Sequence, residues 1–462
     1  MVRRALNQNA AGVVVVLAGL TLAFGLIAVN LLPWAEVAAR QRVPGMEMGA
    51  DYFFALIWAC VLGLSILVWP VSSRDRRVLL VLWLAKICVT LGFMLFYESR
   101  YKLDSFEYFR WAAHMKALEW SGPELFGGKG AQVVVALCTL QNYFLPFSFH
   151  ALKVTFSMFG MLGIYFFYRG GVRFLGREDP RVLLALAFLP SILFWSSILG
   201  KDPLVLFGLG IYAYGVLSWH RTRRWAFLIL VVMGLALAAM VRVWLLPIFT
   251  GPLVVFGMKG LRGKASRVIL LVLVVAGFWF AMRETRLYFR LETTQDLVNQ
   301  TNTLSRIWAY GGSAATLPEI NSVQDMVKLG PFVMFTALFR PLPGEVPHVF
   351  GWLAGVEDLG LLFLLALALM RIAECWPDLK DPVVLWALFT VLAWASVYGF
   401  VSAQNMGTAV RFRLQIMPFF WGLLLYLNRR RPKVPVGVIR AQKEKVYVRH
   451  NGIPQSSTTY PS

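Results

Sequence analysis

The chain has 462 residues, of which 58% are hydrophobic and 15% charged, with a formal net charge of +21. Soluble domains carry about 25% charged residues, so this composition excludes a soluble multidomain protein, which would lack the polar side chains to cover a water-facing surface. The basic excess does not point to nucleic acid, because much of it lies in short clusters between apolar runs: Arg74, Arg76 and Arg77; Arg221, Arg223 and Arg224; Lys259, Arg262, Lys264 and Arg267; Arg429, Arg430 and Arg431. Short basic loops beside membrane spans are the positive-inside signal, not a groove for phosphates.

In chain order, the first apolar run, near 11–33 behind Arg3 and Arg4, exceeds the core of a secretion signal and reads as a retained span. Further spans are expected near 51–70, 78–97, 148–168, 182–199, 202–218, 225–241, 244–258, 267–282, 358–371, 383–401 and 414–428. The fold class is therefore all-α: a polytopic transmembrane helical bundle of about twelve spans. It forms one membrane domain over 1–428, followed by a basic, partly disordered tail over 429–462 that touches anionic lipid. Cys60, Cys88, Cys138 and Cys375 fall in or beside apolar runs without a Cys-x-x-Cys pair, so inert buried thiols are expected and no metal site. No motif specifies a cofactor, and a divalent cation stays open.

Alternation puts the N-terminal arginines, the basic turns at 73–77, 169–181, 218–224 and 259–267, and the C-terminal tail on one side. By the charge rule that side is the cytoplasm, which holds both termini. The other side receives 34–50, 98–147, 283–357 and 402–413. The two longest exceed simple connectors, and long loops carry function. Ala131–Leu140 and Pro331–Phe339 within them are apolar but too short to span, so they lie in the interface or re-enter, and Trp111, Trp120, Trp308 and Trp352 fit interfacial anchors.

The external segments hold the candidate chemistry. In Tyr101-Lys-Leu-Asp104-Ser-Phe-Glu107-Tyr108, Asp104 and Glu107 share a helix face, and either carboxylate suits a general base. The same pattern also fits an amphipathic interfacial helix. Lys201 and Asp202 interrupt some forty apolar residues; a charge pair there is costly unless paired or beside a polar cavity, although a turn with a snorkelling lysine and a capping aspartate is the plainer alternative. Arg242 stands alone between two apolar spans, against the positive-inside bias. Arg340, Glu357, Arg411 and Arg413 complete the set. Arginine forks bind phosphate oxygens bidentately and stay charged, so Arg340, Arg411 and Arg413, with Arg242 and Lys201, are expected to converge as a diphosphate clamp. His114 and His348 lack ligand-spaced partners, and Asn299-Gln-Thr301 is an unspecific sequon.

An external Asp followed by Tyr in the first large loop resembles the GT-C superfamily of membrane glycosyltransferases. Pro190-Ser-x-x-Phe194-Trp195-Ser196-Ser197-x-x-x-Lys201-Asp202, Phe339-Arg340-Pro341 and Gly407-Thr408-x-x-Arg411-x-Arg413-x-x-x-x-Pro418 are similar to segments of bacterial polytopic proteins of cell-surface polysaccharide synthesis, both glycosyltransferases and Wzy-type repeat-unit polymerases. The resemblance extends over roughly 95–425. The adjacent acidic pair of many GT-C first loops is absent, and Asp104-x-x-Glu107 stands in its place. Arg340 to Gly351 and Arg411 to Gly422 repeat the Arg-x10-Gly spacing of the polymerases. The resemblance implies a GT-C-like bundle in the bacterial inner membrane that uses a polyprenyl-phosphate-linked saccharide. Membrane lipids and other polysaccharide-assembly proteins are the expected partners. The competing expectation is a flippase or transporter for such a saccharide, whose charges should line a path at mid-depth.

Overall fold

The computed structural model of the protein describes Gly19 and residues 47–101, 103–117, 129–260, 263–309, 313–315 and 318–429. The expected span at 11–33 (apart from Gly19), Arg3, Arg4, Trp120, Arg262, Arg430, Arg431 and the tail from 430, together with the side chain of Trp308, lie outside those residues.

The described residues build helices, α1 (Met48–Ser65), α2 (Ser73–Ile87), α3 (Met94–Arg100), α4 (Asp104–Ala117), α5 (Ala131–Phe144), α6 (Phe149–Leu175), α7 (Pro180–Ala187), α8 (Pro190–Trp195), α9 (Lys201–Thr222), α10 (Phe227–Val241), α11 (Leu245–Thr250), α12 (Lys264–Phe289), α13 (Thr294–Trp308), α14 (Val323–Phe339), α15 (Val349–Met370), α16 (Ile372–Cys375), α17 (Pro382–Ser402), α18 (Met406–Arg413) and α19 (Met417–Leu427). A π-helical segment, Cys88–Phe93, joins α2 to α3. Only an isolated bridge, Ala314 with Asn405, has β character among the described residues.

Among the described residues, seven stretches are long and apolar enough to cross a membrane: Gly49–Val68, Ser73–Arg100, Phe149–Leu175, Lys201–Thr222, Lys264–Phe289, Val349–Met370 and Pro382–Ser402. Phe227–Val241 and Met417–Leu427 are apolar but shorter. The protein is thus a helical membrane bundle, but two of the expected continuous spans are broken. The run 182–199 divides into α7 and α8 because Leu189, which precedes Pro190, takes an extended ψ of 124°. The run 244–258 becomes α11, a 3-10 turn (Gly251–Leu253) and a π turn (Phe256–Gly260), with Pro252 lacking the donor an α-helix needs.

The described parts of 98–147 and 283–357 are also largely helical. Pro331–Phe339 is the end of α14, which starts at a capping box between Ser322 and Asp325, and it packs Phe339 on Phe420 of α19. Helix α15 begins at Val349, well ahead of the expected 358, because the His348 ring accepts the Gly351 N–H. Trp111 and Trp352 are exposed. Two cysteines depart from expectation: Cys138 and Cys375 are buried, but Cys60 is half-buried and Cys88 is exposed. In a membrane bundle the outward face is apolar too, so an apolar run does not imply burial.

Glycines set the centre of the bundle. A Cβ on Gly163 of α6 would lie 2.7 Å from the Leu206 backbone, and one on Gly210 of α9 would lie 2.5 Å from the Gly163 carbonyl. Across α9 and α10, a Cβ on Gly234 would meet the Gly208 carbonyl at 2.5 Å. Backbones approach this closely only over small residues. The result is that α9 is central, with 83% of its apolar window buried, whereas α12 is peripheral at 17%. The N-terminus of α9, Lys201 and Asp202, is held inside the bundle by this packing. We expect Gly163→Val or Gly234→Val to cost about 1–3 kcal/mol of stability by overpacking. Gly360→Ala, where added atoms meet nothing within 4 Å, is expected to cost none. Unfolding by denaturing detergent measures this, and equal stability of all three variants would refute the tight packing.

Candidate functional site

Asp202, in the first turn of α9, is 1% exposed, and two arginines from distant parts of the chain reach it. Arg242, where α10 ends and the backbone turns extended, donates from Nη2 to Oδ1 at 2.9 Å. Arg411, on α18, donates from Nε to Oδ2 at 2.6 Å. Helix α18 is oriented by its N-cap, the Asn405 side chain accepting the Thr408 N–H. Each guanidinium lies by an aromatic ring, Arg242 4.4 Å from the Phe412 centroid and Arg411 5.5 Å from that of Trp195. A buried carboxylate needs such partners, because low dielectric penalises an unpaired charge.

Arg411 also faces outward: its Nη2 lies 3.9 Å from Oδ2 of Asp104, the first residue of α4, whose side chain is 61% exposed. Burial works against the Arg411 charge, but the Asp202 and Asp104 carboxylates outweigh it and hold the guanidinium above its ordinary value. Burial, reinforced by Asp104, likewise keeps the Tyr108 hydroxyl above its ordinary value, so it stays protonated. Nη1 of Arg242 is buried without a hydrogen-bond partner among the described residues. Lys201 is half-buried beside Asp202. Asp104, Lys201, Asp202, Arg242 and Arg411 therefore form one cluster, open to solvent at Asp104. It carries three cations and two carboxylates, a local excess of positive charge suited to an anion.

Glu107 does not join them; it is engaged with Arg110 one turn along α4, both exposed. The expected four-arginine clamp is likewise divided. Arg413 is 1% exposed, donates to the Asp358 carboxylate and to the carbonyls of Ala337 (3.0 Å) and Arg340, and so bolts α18 to α14 and α15. Its donors are consumed inside the protein. Arg340 binds Glu345 through Nε at 2.9 and 3.0 Å, closing the turn between α14 and α15. Glu357 accepts the Ser191 N–H (2.9 Å) and hydroxyl (2.5 Å), capping α8. Arg340, Glu357 and Arg413 thus support the site's frame. Their cluster lies at one end of α8, and Trp195, beneath Arg411, lies at the other.

Several buried charges carry no motif in the sequence. Lys86, 0% exposed, donates to the Ser196 carbonyl (2.9 Å) and to the hydroxyls of Ser196 (2.6 Å) and Ser197 (3.0 Å). It satisfies the unwound backbone between α8 and α9, immediately before Asp202. Lys153 binds Glu98 at 2.7 Å, and Asp51 is engaged with Ser148 and His150, all buried. The signal was available: lone ionisable residues inside apolar runs are rare and pair internally. Among the described residues, no group of three or more His, Cys, Asp or Glu is arranged to hold a metal ion. No protein-family profile, curated protein or solved structure matches the chain.

Two outcomes follow from this geometry. Asp202→Asn leaves two arginines without their counter-charge and is expected to cost about 3–5 kcal/mol, against under about 0.5 kcal/mol for Glu107→Gln at the surface; similar losses for both would contradict the cluster. At Glu345, burial raises the carboxyl, but hydrogen bonds from Arg340 and the Leu342 N–H outweigh it, leaving the group below its ordinary 4.5. Its contribution is then present above that value and lost as pH falls through the lower folded-state value. Wild-type stability should decline more than that of Glu345→Gln on acidification below about pH 4.5, and parallel pH profiles would exclude the pair's contribution.

Proposed function

We propose that the protein transfers a glycosyl group from a polyprenyl-(pyro)phosphate-linked saccharide, at the external face of the bacterial inner membrane, in the synthesis of a cell-surface polysaccharide. The observation that carries this reading is the solvent-reachable Asp104 standing 3.9 Å from Arg411, whose guanidinium is locked by buried Asp202. A base beside a preorganised cation is what transfer from a phosphate-linked sugar requires. Asp104 takes the proton of the acceptor hydroxyl as its oxygen bonds to the anomeric carbon. The bond from that carbon to the phosphate oxygen breaks, and the electron pair leaves with the phosphate. Arg411, the spare Nη1 of Arg242 and Lys201 stabilise the charge that develops there.

In this reading the protein is a twelve-span, GT-C-like bundle with both termini in the cytoplasm. The count assigns crossings to the seven long helices, the two shorter apolar helices, the broken stretches 180–199 and 245–260, and residues 11–33. The orientation follows from charge: the cluster lies at the end opposite Arg74–Arg77, Arg221–Arg224 and Arg429. Membrane lipids and other polysaccharide-assembly proteins are its partners.

A flippase for the same saccharide is the second reading. It draws support from Lys86, buried midway along Ser73–Arg100, and from the broken stretches, since interrupted helices and intramembrane charges mark transport paths. The test is the lipid-linked oligosaccharide and surface-polysaccharide profile of a strain lacking the gene, complemented by wild type, Arg411→Ala or Asp104→Asn at equal protein level. Loss of product by about a hundredfold or more is expected for each variant. Single repeat units on the external leaflet identify a polymerase, a glycan truncated by one sugar a single-sugar transferase, and an intact saccharide retained on the inner leaflet a flippase. An unchanged profile would overturn the proposal.

A further inference from the structure

At the end of the bundle opposite the Asp202 cluster, a cavity of about 260 Å³ opens between α6, α7, α9, α17 and α19. Its interior is apolar, with Phe167, Leu217, Trp386 and Phe419 among its walls. Two of its positions are glycines, Gly171 of α6 and Gly422 of α19, and a Cβ added to either meets nothing within 4 Å. At these two positions α6 and α19 present no side chain to the space. Such a lining gives water no hydrogen-bond partners, so water is a poor occupant.

The mouth is polar. Arg177, exposed after the C-terminus of α6, and Arg429, beyond α19, border it. Arg429 is set by Asp378 at 2.9 and 3.0 Å and lies 3.6 Å from the Tyr426 ring centroid. The one acidic residue of the lining, Asp179, accepts the Arg181 N–H and caps α7. Arg173 and Arg181 add positive charge at this end, while Glu178 in the same turn is paired with Arg169 at 2.7 Å. An apolar interior under a guanidinium rim matches an apolar chain carrying an anionic head, and a zwitterionic head brings a cation that the rim repels. The volume lies just below the range of small-ligand pockets, which starts at about 300 Å³, and so suits part of one acyl chain better than a long polyprenyl chain.

We propose that this cavity is a binding site for an anionic glycerophospholipid, with one acyl chain among the five helices and the phosphate at Arg177 and Arg429. It is independent of the glycosyl-transfer reading, because the two sites are at opposite ends of the bundle. The test uses delipidated full-length protein in detergent, with dioleoyl phosphatidylglycerol, dioleoyl phosphatidylcholine or undecaprenyl phosphate added, reading bound lipid by native mass spectrometry and the thermal midpoint. Phosphatidylglycerol is expected to bind about tenfold more tightly than phosphatidylcholine and to raise the midpoint. Gly171→Phe with Gly422→Phe fills the cavity, so it should lose about tenfold or more in phosphatidylglycerol affinity. The independent variant Arg177→Gln with Arg429→Gln, which leaves the cavity open, should bring phosphatidylglycerol down to the phosphatidylcholine level. Equal wild-type binding of the two phospholipids, tighter binding of undecaprenyl phosphate, or unchanged phosphatidylglycerol binding in either double variant would overturn the proposal.

Discussion

The arrangement of the end of the bundle where α9 begins rests on one carboxylate, Asp202, which the central position of α9 forces out of water. Once that helix is locked by glycine contacts to α6 and α10, its first turn cannot retreat to solvent, and the charge must be met from within the protein. Arg242 and Arg411 meet it from 40 and 209 residues away in sequence. Their convergence fixes the end of α10, the placement of α18 and the face that Arg411 turns toward Asp104. Removing the carboxylate would leave two cations to repel one another.

The second device is irregular backbone buried inside the bundle. Unwound segments at membrane depth persist only where protein groups satisfy their polar atoms. Here α8 is a short helix suspended between such groups: Glu357 receives its N-terminal donors, and Lys86 with Thr90 takes the carbonyls and hydroxyls of Ser196 and Ser197 beyond its C-terminus. Suspended in this way, α8 carries Trp195 to Arg411 and delivers the chain to Asp202. Arg413, Asp358 and the Arg340–Glu345 pair brace the neighbouring helices. Residues that look like ligands in sequence therefore act as the frame around the residues that can reach a substrate.

The two ends of the bundle differ in how they use arginine. At one end the guanidiniums are matched by buried carboxylates and leave a small excess of charge beside an exposed aspartate. At the other, Arg177 stands exposed and Arg429 half-buried over an apolar cavity created by missing side chains. The same residue type serves a polar cluster in one case and the rim of an apolar cavity in the other.

Much of the class was legible from sequence, because membrane solvation leaves a strong one-dimensional record: long apolar runs, sparse charge and basic turns all survive without knowing any contact. The sequence also offered Asp104, Lys201, Asp202, Arg242 and Arg411 as candidates, on helix-face spacing, on charge amid apolar runs and on the fork chemistry of arginine. It did not separate Arg411 from Arg413, two residues apart, one reaching outward and the other sealed at 1% exposure; which way each points depends on the helices around α18. Glu107 and Asp104 share a face in sequence, yet only Asp104 lies at the Arg411 edge. Lys86 and Lys153 lie inside apolar runs whose average masks a single charge. Breaks at Pro190 and Pro252 were invisible to hydropathy, which counts side chains and not backbone donors. Helix existence follows from local composition and solvent preference, whereas partners follow from which distant residues share a small volume, and only the folded chain decides that.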